Sequence, residues 1–296
     1  MNLKIRHFYL TSKPYSYISE ISCGILFYFI LNPFSKSNSL FLIIIQTLSM
    51  WLYFNWQSDK IQRDSGRLPP SAVLVGTPLI ISIIIGFYLG GILGILGVVF
   101  YAFTICLYAL KALKSWAGPI GPIFRIFTII GHYISIWSLS PTLLTTKSII
   151  IIILICIWKG VRNLIGDVRD IQNDVHELPA KYGAVLSLWI IRLGLFISIL
   201  LVIKISVWST FYITLIAWLF LELFQYYFIE PYKWGYITHR IFILITVIIQ
   251  LIYAQIYGLH TLWSIFLFIL ALLFNSTYSK LPGKNFLNLK NLFAVK

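Results

Sequence analysis

The sequence predicts an all-α, polytopic transmembrane helix bundle of nine or ten helices, with two Asp-rich loops on its cytoplasmic side. Three observations predict it. Apolar residues make up 59% of the 296-residue chain and charged residues only 11%, whereas soluble domains carry about 25% charged residues. Apolar runs near the length of a bilayer's hydrocarbon core recur along the chain. The basic residues gather in every second connection, as the positive-inside rule requires of cytoplasmic loops. With a mean hydropathy of +0.88, no soluble fold could hide this much apolar surface.

The first run, 15–32, follows the basic residues Lys4, Arg6 and Lys13. It lacks a small-x-small cleavage site and reads as a retained helix, not a signal peptide. Run 40–56 leads into a polar connection, 57–71, that carries Lys60, Arg63 and Arg67. Runs 72–89 and 92–110 are separated by a connection that barely allows a turn. Gly90, Gly94 and Gly97 flank that turn, and small residues at such spacing let helices approach closely. An inside connection with Lys111 and Lys114 follows, then runs 123–139 and 148–163 and a long inside connection over 166–184. Runs 185–202 and 207–228 are joined by another tight outside turn. Runs 236–257 and 261–274 complete the set, and the last is the weakest. Lys280, Lys284, Lys290 and Lys296 lie after it; nine spans would put them outside, so the charge pattern favours ten. The whole chain, 1–296, reads as one membrane domain without a linker or soluble insert.

The net charge of +14 would ordinarily suggest nucleic acid. Here the positive-inside distribution accounts for it, and no nucleic-acid partner is expected. Cys23, Cys106 and Cys156 all fall within predicted spans, lack metal-ligand spacing, and read as small buried hydrophobes.

Chemistry is signalled by the acidic residues, of which the chain has only nine. Asp59, Asp64, Asp167, Asp170 and Asp174 lie in or beside two inside connections; Glu177 is adjacent and Glu230 sits in a third. Glu20 and Glu222 alone fall inside predicted spans. Asn55 and Asp59 are four apart, which puts both on one face of a continuing helix. Asp167, Asp170 and Asp174, at i, i+3 and i+7, also share a face. Three carboxylates on one stripe repel each other and need cations. Arg162, Arg169 and Lys181 are near enough to supply them. So is Mg²⁺, which binds through one or two carboxylates, water and substrate phosphate oxygens.

These residues carry a resemblance. Asn55-Trp56-Gln57-Ser58-Asp59, followed by Arg67-Leu68-Pro69-Pro70-Ser71, is similar to the first motif of the UbiA superfamily of intramembrane aromatic prenyltransferases. Gly166-Asp167-Val168-Arg169-Asp170-Ile171-Gln172-Asn173-Asp174, with Leu178-Pro179-Ala180-Lys181-Tyr182-Gly183, looks like its second motif and tail. Tyr108-Ala109-Leu110-Lys111 resembles the family's Tyr-x-x-x-Lys. Order, spacing and span number agree over roughly residues 15–230. Trp56 and Arg63 stand where the family carries acidic residues, Asp64 falls one place late, and the second loop is shorter than usual.

The resemblance implies a UbiA-like bundle that ionises an isoprenyl diphosphate with Mg²⁺ and passes the prenyl group to a hydrophobic acceptor in the bilayer. It implies Asn55, Asp59, Asp167, Asp170 and Asp174 as metal ligands. Lys111, Lys114, Arg169, Tyr108 and Arg63 would meet the diphosphate, with Asp64 and Glu222 as possible additions. Tyr53, Trp56, Tyr101, Phe103, Tyr133 and Trp137 lie near the depth at which an allylic cation needs a π surface, and for each of them anchoring at the membrane interface or packing is the favoured role. For Glu222 a structural partner, Arg192 or Arg125, is the favoured reading; Glu20 is expected to reach the interface and His132 to be a packed helix residue. Two other readings stand beside the transferase. One is a terpene cyclase that uses the same metal site without an acceptor. The other is a transporter, disfavoured because the carboxylates sit at one face and not at the midplane.

Overall fold

A computed structural model describes residues 13–33, 39–62, 72–109, 116–139, 141–172 and 176–276, with only the backbone of 14, 58–62 and 72. All regular structure among them is helical. After a 3₁₀ turn at Pro14–Ser16 come α1 (Tyr17–Leu31), α2 (Ser39–Gln62), α3 (Ala72–Ala109), α4 (Gly121–Trp137) and α5 (Thr146–Arg169). The short α6 (Leu178–Tyr182) precedes α7 (Ala184–Ile205), α8 (Trp208–Tyr227), α9 (Pro231–Ile256) and α10 (Thr261–Asn275). Six of these helices are long and apolar enough to cross a membrane, and α1 and α10 are shorter apolar helices.

Each predicted run lies on a helix, and the turn expected at 89–91 is present. Within α3, Gly91 takes φ 59°, ψ −140° and breaks the element into limbs 72–90 and 92–109. A backbone with positive φ there suits glycine, which has no Cβ to clash. The limbs then fold back at close range. A Cβ on Gly94 would lie 2.0 Å from the Gly86 carbonyl oxygen, and one on Gly97 would lie 2.0 Å from Ser138 Oγ. Counting both limbs of α3 and leaving out α6 gives ten helices among the described residues.

Local chemistry sets the other boundaries. Pro122, Pro179 and Pro231 occupy the first helical positions of α4, α6 and α9, where the missing N–H is not needed. Thr145 caps α5, its hydroxyl accepting from Ser148 N at 3.1 Å. Ser206, at φ 57°, turns α7 back into α8.

The inside of the bundle is built on α1, α5 and α9. In α1 all but Tyr17 and Ile21 are buried, and α5 packs against α4, α7 and α9. A second apolar cluster joins α2, α3 and α4 around Met50, Trp51, Phe54, Val98 and Ile105. The outer faces of α3, α7, α8 and α10 expose Ile84, Leu96, Leu193, Leu219 and Ile269, among other large apolar side chains. In water such a belt would drive aggregation; in lipid it is the solvated surface. The chain is therefore an integral, multi-pass membrane protein. Cys23 and Cys156 are buried, as expected.

Candidate active site

Four helix ends meet on one side of the bundle. Phe54 of α2 lies 5.1 Å, ring to ring, from Tyr108 at the end of α3. The Tyr108 hydroxyl donates to Asn163 Oδ1 of α5 at 2.8 Å. Asn163 in turn donates through Nδ2 to both Asp167 oxygens, at 3.2 and 3.4 Å. Near the start of α9, His239 Nδ1 meets Arg169 Nη1 at 3.2 Å. Gly235 lets this helix lie against α5: a Cβ there would come within 2.8 Å of Arg169 N.

Of the carboxylates expected at this end, Asp167 and Asp170 are among the described residues. Asp167 and Asp170 are both buried, and α5 ends between them at Arg169. The Asp170 N–H still reaches Gly166 O and Asp167 O, so the two acids stay on one turn. Arg169 forks onto Asp170, Nε to Oδ1 at 2.7 Å and Nη2 to Oδ2. This arginine, expected at the diphosphate, contacts Asp170 and His239. On α2, Asn55 is fully buried, with Nδ2 donating to Trp51 O at 2.9 Å. Helix α2 continues unbroken to Gln62, so the backbone puts Asp59 on the face of Asn55. The side chain of Asp59 and residues Arg63, Asp64, Lys111, Lys114 and Asp174 lie outside the described residues.

The connection before α4 also reaches this end. A Cβ on Gly118 would stand 1.9 Å from His176 O, so segment 116–120 rests directly on the second Asp-rich loop.

The donor set suits Mg²⁺. Asn55, Asp167 and Asp170 offer hard oxygens and no sulfur, which matches Mg²⁺ over softer ions. Among the described residues no three of His, Cys, Asp and Glu form a metal-binding group. Completing the set would take Asp59 and Asp174.

Glu222 takes the structural partner favoured for it, and one expectation changes, at Glu20. Glu222 pairs with Arg192, Nε to Oε1 at 2.7 Å and Nη2 to Oε2 at 2.5 Å, and accepts from Trp218 Nε1 at 2.9 Å. It is a structural partner that ties α7 to α8. Phe103 points outward at 56% exposure and cannot line an interior path. Glu20 does not reach the interface; it is 2% exposed, and its Oε1 accepts from Arg125, Lys159 and Arg162 at 2.8, 2.8 and 3.2 Å. An outward turn would have left three cations buried without an anion.

That four-residue cluster went unread in the sequence. The signal was there, since Lys159 and Arg162 both fall inside the apolar run 148–163, and ionisable residues within a span mark function by default. The aromatic wall also differs from expectation. Trp51 and Phe54 stack at 5.0 Å, with the Arg125 guanidinium carbon 5.5 and 5.1 Å from their ring centroids. Deeper, His132 stacks on Tyr101 at 5.1 Å and bonds Thr47 Oγ1 at 3.2 Å, a packed residue as expected.

No family model and no curated protein matches the chain. Solved structures do. A structure described as giving insight into digeranylgeranylglyceryl phosphate synthase in membranes superposes with a TM-score of 0.60 at 16% identity, over 87% of this chain and 99% of the other. A UbiA homologue from Archaeoglobus fulgidus bound to Cd²⁺ gives 0.54 at 12% identity, over 92% and 97%. The same homologue bound to DMAPP and Mg²⁺ gives 0.52 at 13% identity, over 93% and 98%. Helix order and arrangement agree across nearly the whole of both chains, and this chain has the UbiA fold.

Proposed function

We propose that the chain is a UbiA-superfamily prenyltransferase. It moves an isoprenyl group from a prenyl diphosphate to a hydrophobic acceptor inside the bilayer, with Mg²⁺. The observation that carries this reading is the pair of buried carboxylates, Asp167 and Asp170, gathered with Asn55 and Tyr108 at one end of an apolar bundle of UbiA fold. Arg169 pairs with Asp170, and two buried acids on one turn suit a further cation at this end. The basic connections at the same end support a cytoplasmic orientation of the site.

In the reaction the allylic C–O bond breaks and diphosphate leaves with the electron pair. The acceptor's nucleophilic atom then bonds the allylic carbon and loses a proton. Bound Mg²⁺ supplies Lewis-acid neutralisation of the leaving charge. Asn55, Asp59, Asp167, Asp170 and Asp174 hold it, and Asn163 fixes the Asp167 carboxylate. Lys111, Lys114 and Arg63 offer charge-assisted hydrogen bonds to phosphate oxygens. Tyr108 adds a neutral donor, and Arg169 joins them by exchanging Asp170 for phosphate. Trp51 and Phe54 present π faces to the cation and help to keep water away.

The test uses purified protein in nanodiscs with prenyl diphosphates. Mg²⁺-dependent diphosphate release is expected, falling at least 100-fold in Asp59→Ala and Asp170→Ala. Release that persists in both variants would overturn the enzyme assignment. A terpene product formed without any acceptor would convert the reading to a cyclase.

A further inference from the structure

One imidazole reaches the diphosphate end from a helix that carries neither Asp-rich loop. His239 stands on α9, about two turns from its start, and is buried. Gly235 and His239 are four residues apart, so they share the face of α9 that lies on α5. Glycine makes room at both contacts. A Cβ on Gly235 would meet Arg169 N at 2.8 Å, and one on Gly166 would meet His239 Nε2 at 3.2 Å. A side chain at either place would push α9 or the imidazole off the end of α5.

The contact defines the state of the ring. A guanidinium has N–H donors and no acceptor, so Arg169 Nη1 donates to His239 Nδ1, at 3.2 Å. The imidazole is therefore neutral and carries its proton on Nε2. The Nε–Nη2 edge of the same guanidinium forks onto the two oxygens of Asp170. Arg169 is thus held on two sides, by a carboxylate and by a neutral ring nitrogen.

The two holds respond differently to a bound donor. A carboxylate turned to a divalent cation no longer balances a guanidinium, and like charge then drives the guanidinium away. Arginine is long and flexible, so its placement is lost once Asp170 lets go. His239 carries no charge that a metal could redirect, and it keeps its hold on Nη1. Nε and Nη2 then remain together as a free fork at the end of α5. Two parallel N–H donors of this kind fit a phosphate bidentately.

We propose that His239 is the positioning residue for Arg169 in diphosphate binding. By accepting from Nη1 it keeps the Nε–Nη2 fork aimed at the donor's phosphate oxygens when Asp170 turns to Mg²⁺. This deepens the prenyltransferase reading and rests on it. The imidazole touches neither donor nor metal and acts through the guanidinium alone. His239 lies beyond residues 15–230, over which the sequence resemblance extends, so the role belongs to this chain's own packing of α9 on α5.

The test measures binding first without turnover and then with it, in nanodiscs with Mg²⁺. The probe is a prenyl thiodiphosphate, whose C–S bond resists ionisation, titrated by calorimetry. His239→Phe keeps the volume and removes the acceptor; His239→Asn loses volume and keeps an acceptor oxygen near the place of Nδ1. His239→Phe is expected to weaken the probe at least 10-fold and to raise donor KM by the same factor, with acceptor KM within twofold of wild type. His239→Asn should bind the probe within threefold of wild type, although it melts lower. A merely structural role would reverse that order. Arg169→Gln should weaken the probe as much as His239→Phe does, and the double variant should lie within twofold of Arg169→Gln, because the imidazole then has nothing to hold. Should His239→Phe fail to fold, His239→Leu takes its place. Wild-type affinity in either overturns the proposal, as do a 10-fold loss in His239→Asn or additive losses in the double variant. Probe binding and Mg²⁺-dependent diphosphate release by wild type separate these results from failure of the prenyltransferase reading, in which wild type would do neither and both readings would fall.

Discussion

Tyr108 earns its place through a relay: its hydroxyl holds Asn163, and Asn163 holds both oxygens of Asp167. Replacing Tyr108 with Phe removes the relay's first donor and keeps the ring on Phe54. The expected stability cost is about 1 kcal/mol, the net worth of one hydrogen bond. Activity should fall further, roughly 10-fold in kcat, because a carboxylate placed for metal binding loses its orientation. Thermal melting and steady-state rates of Tyr108→Phe check both parts. Asp167, Asp170 and Asn55 were legible in the sequence because their spacing is helical and α2 and α5 stay helical up to them, whereas Tyr108 was named through the resemblance alone. The Tyr108–Asn163 contact and the Glu20 cluster were not legible, because those partners lie more than 50 residues apart in the chain. Periodicity reports faces of one helix and is silent on which faces meet.

The α3 hairpin shows the same division at the level of an element. Its two limbs were legible as two apolar runs about a glycine turn, since length and apolarity alone define a span. Which glycine carries which burden is set by packing. Gly94 abuts backbone, so Gly94→Ala forces the limbs apart and should cost about 1–3 kcal/mol or more. Gly91 has open space around a would-be Cβ but φ 59°, so Gly91→Ala pays only local strain, about 1–3 kcal/mol. Gly76 has neither constraint; Gly76→Ala is expected to be neutral or up to about 1 kcal/mol stabilising. Melting temperatures in one detergent rank the three, and a destabilised Gly76→Ala would contradict the packing. Gly118→Ala has a different signature. Its Cβ would meet the His176 carbonyl, a backbone atom that no rotamer change can move. The second Asp-rich loop must shift, so activity should drop about 10-fold while melting barely changes, as befits a connection outside the apolar interior.

For the molecule as a whole, the remaining question is which face of the membrane the acids meet. Composition made the bundle legible, but handedness across the bilayer comes only from the distribution of Lys and Arg. The described residues supply two well-separated reporters. His176 is exposed beside the candidate active site, and Leu143 is fully exposed in the connection between α4 and α5, at the opposite end. The native thiols are poor competitors, with Cys23 and Cys156 buried and Cys106 against the Tyr53 hydroxyl at 3.7 Å. In intact cells, a charged thiol reagent that cannot cross the membrane should label Leu143→Cys and leave His176→Cys untouched until the cells are lysed. The reverse pattern would put the acids outside. The basic connections would then face the wrong side, and the positive-inside reading on which the orientation depends would fail. The helix packing and the carboxylate site would stand unchanged, because neither derives from orientation. Labelling of both positions in intact cells would mean that the two connections share a side. That would leave an even number of crossings between them, against the single crossing α5 makes from Thr146 to Arg169.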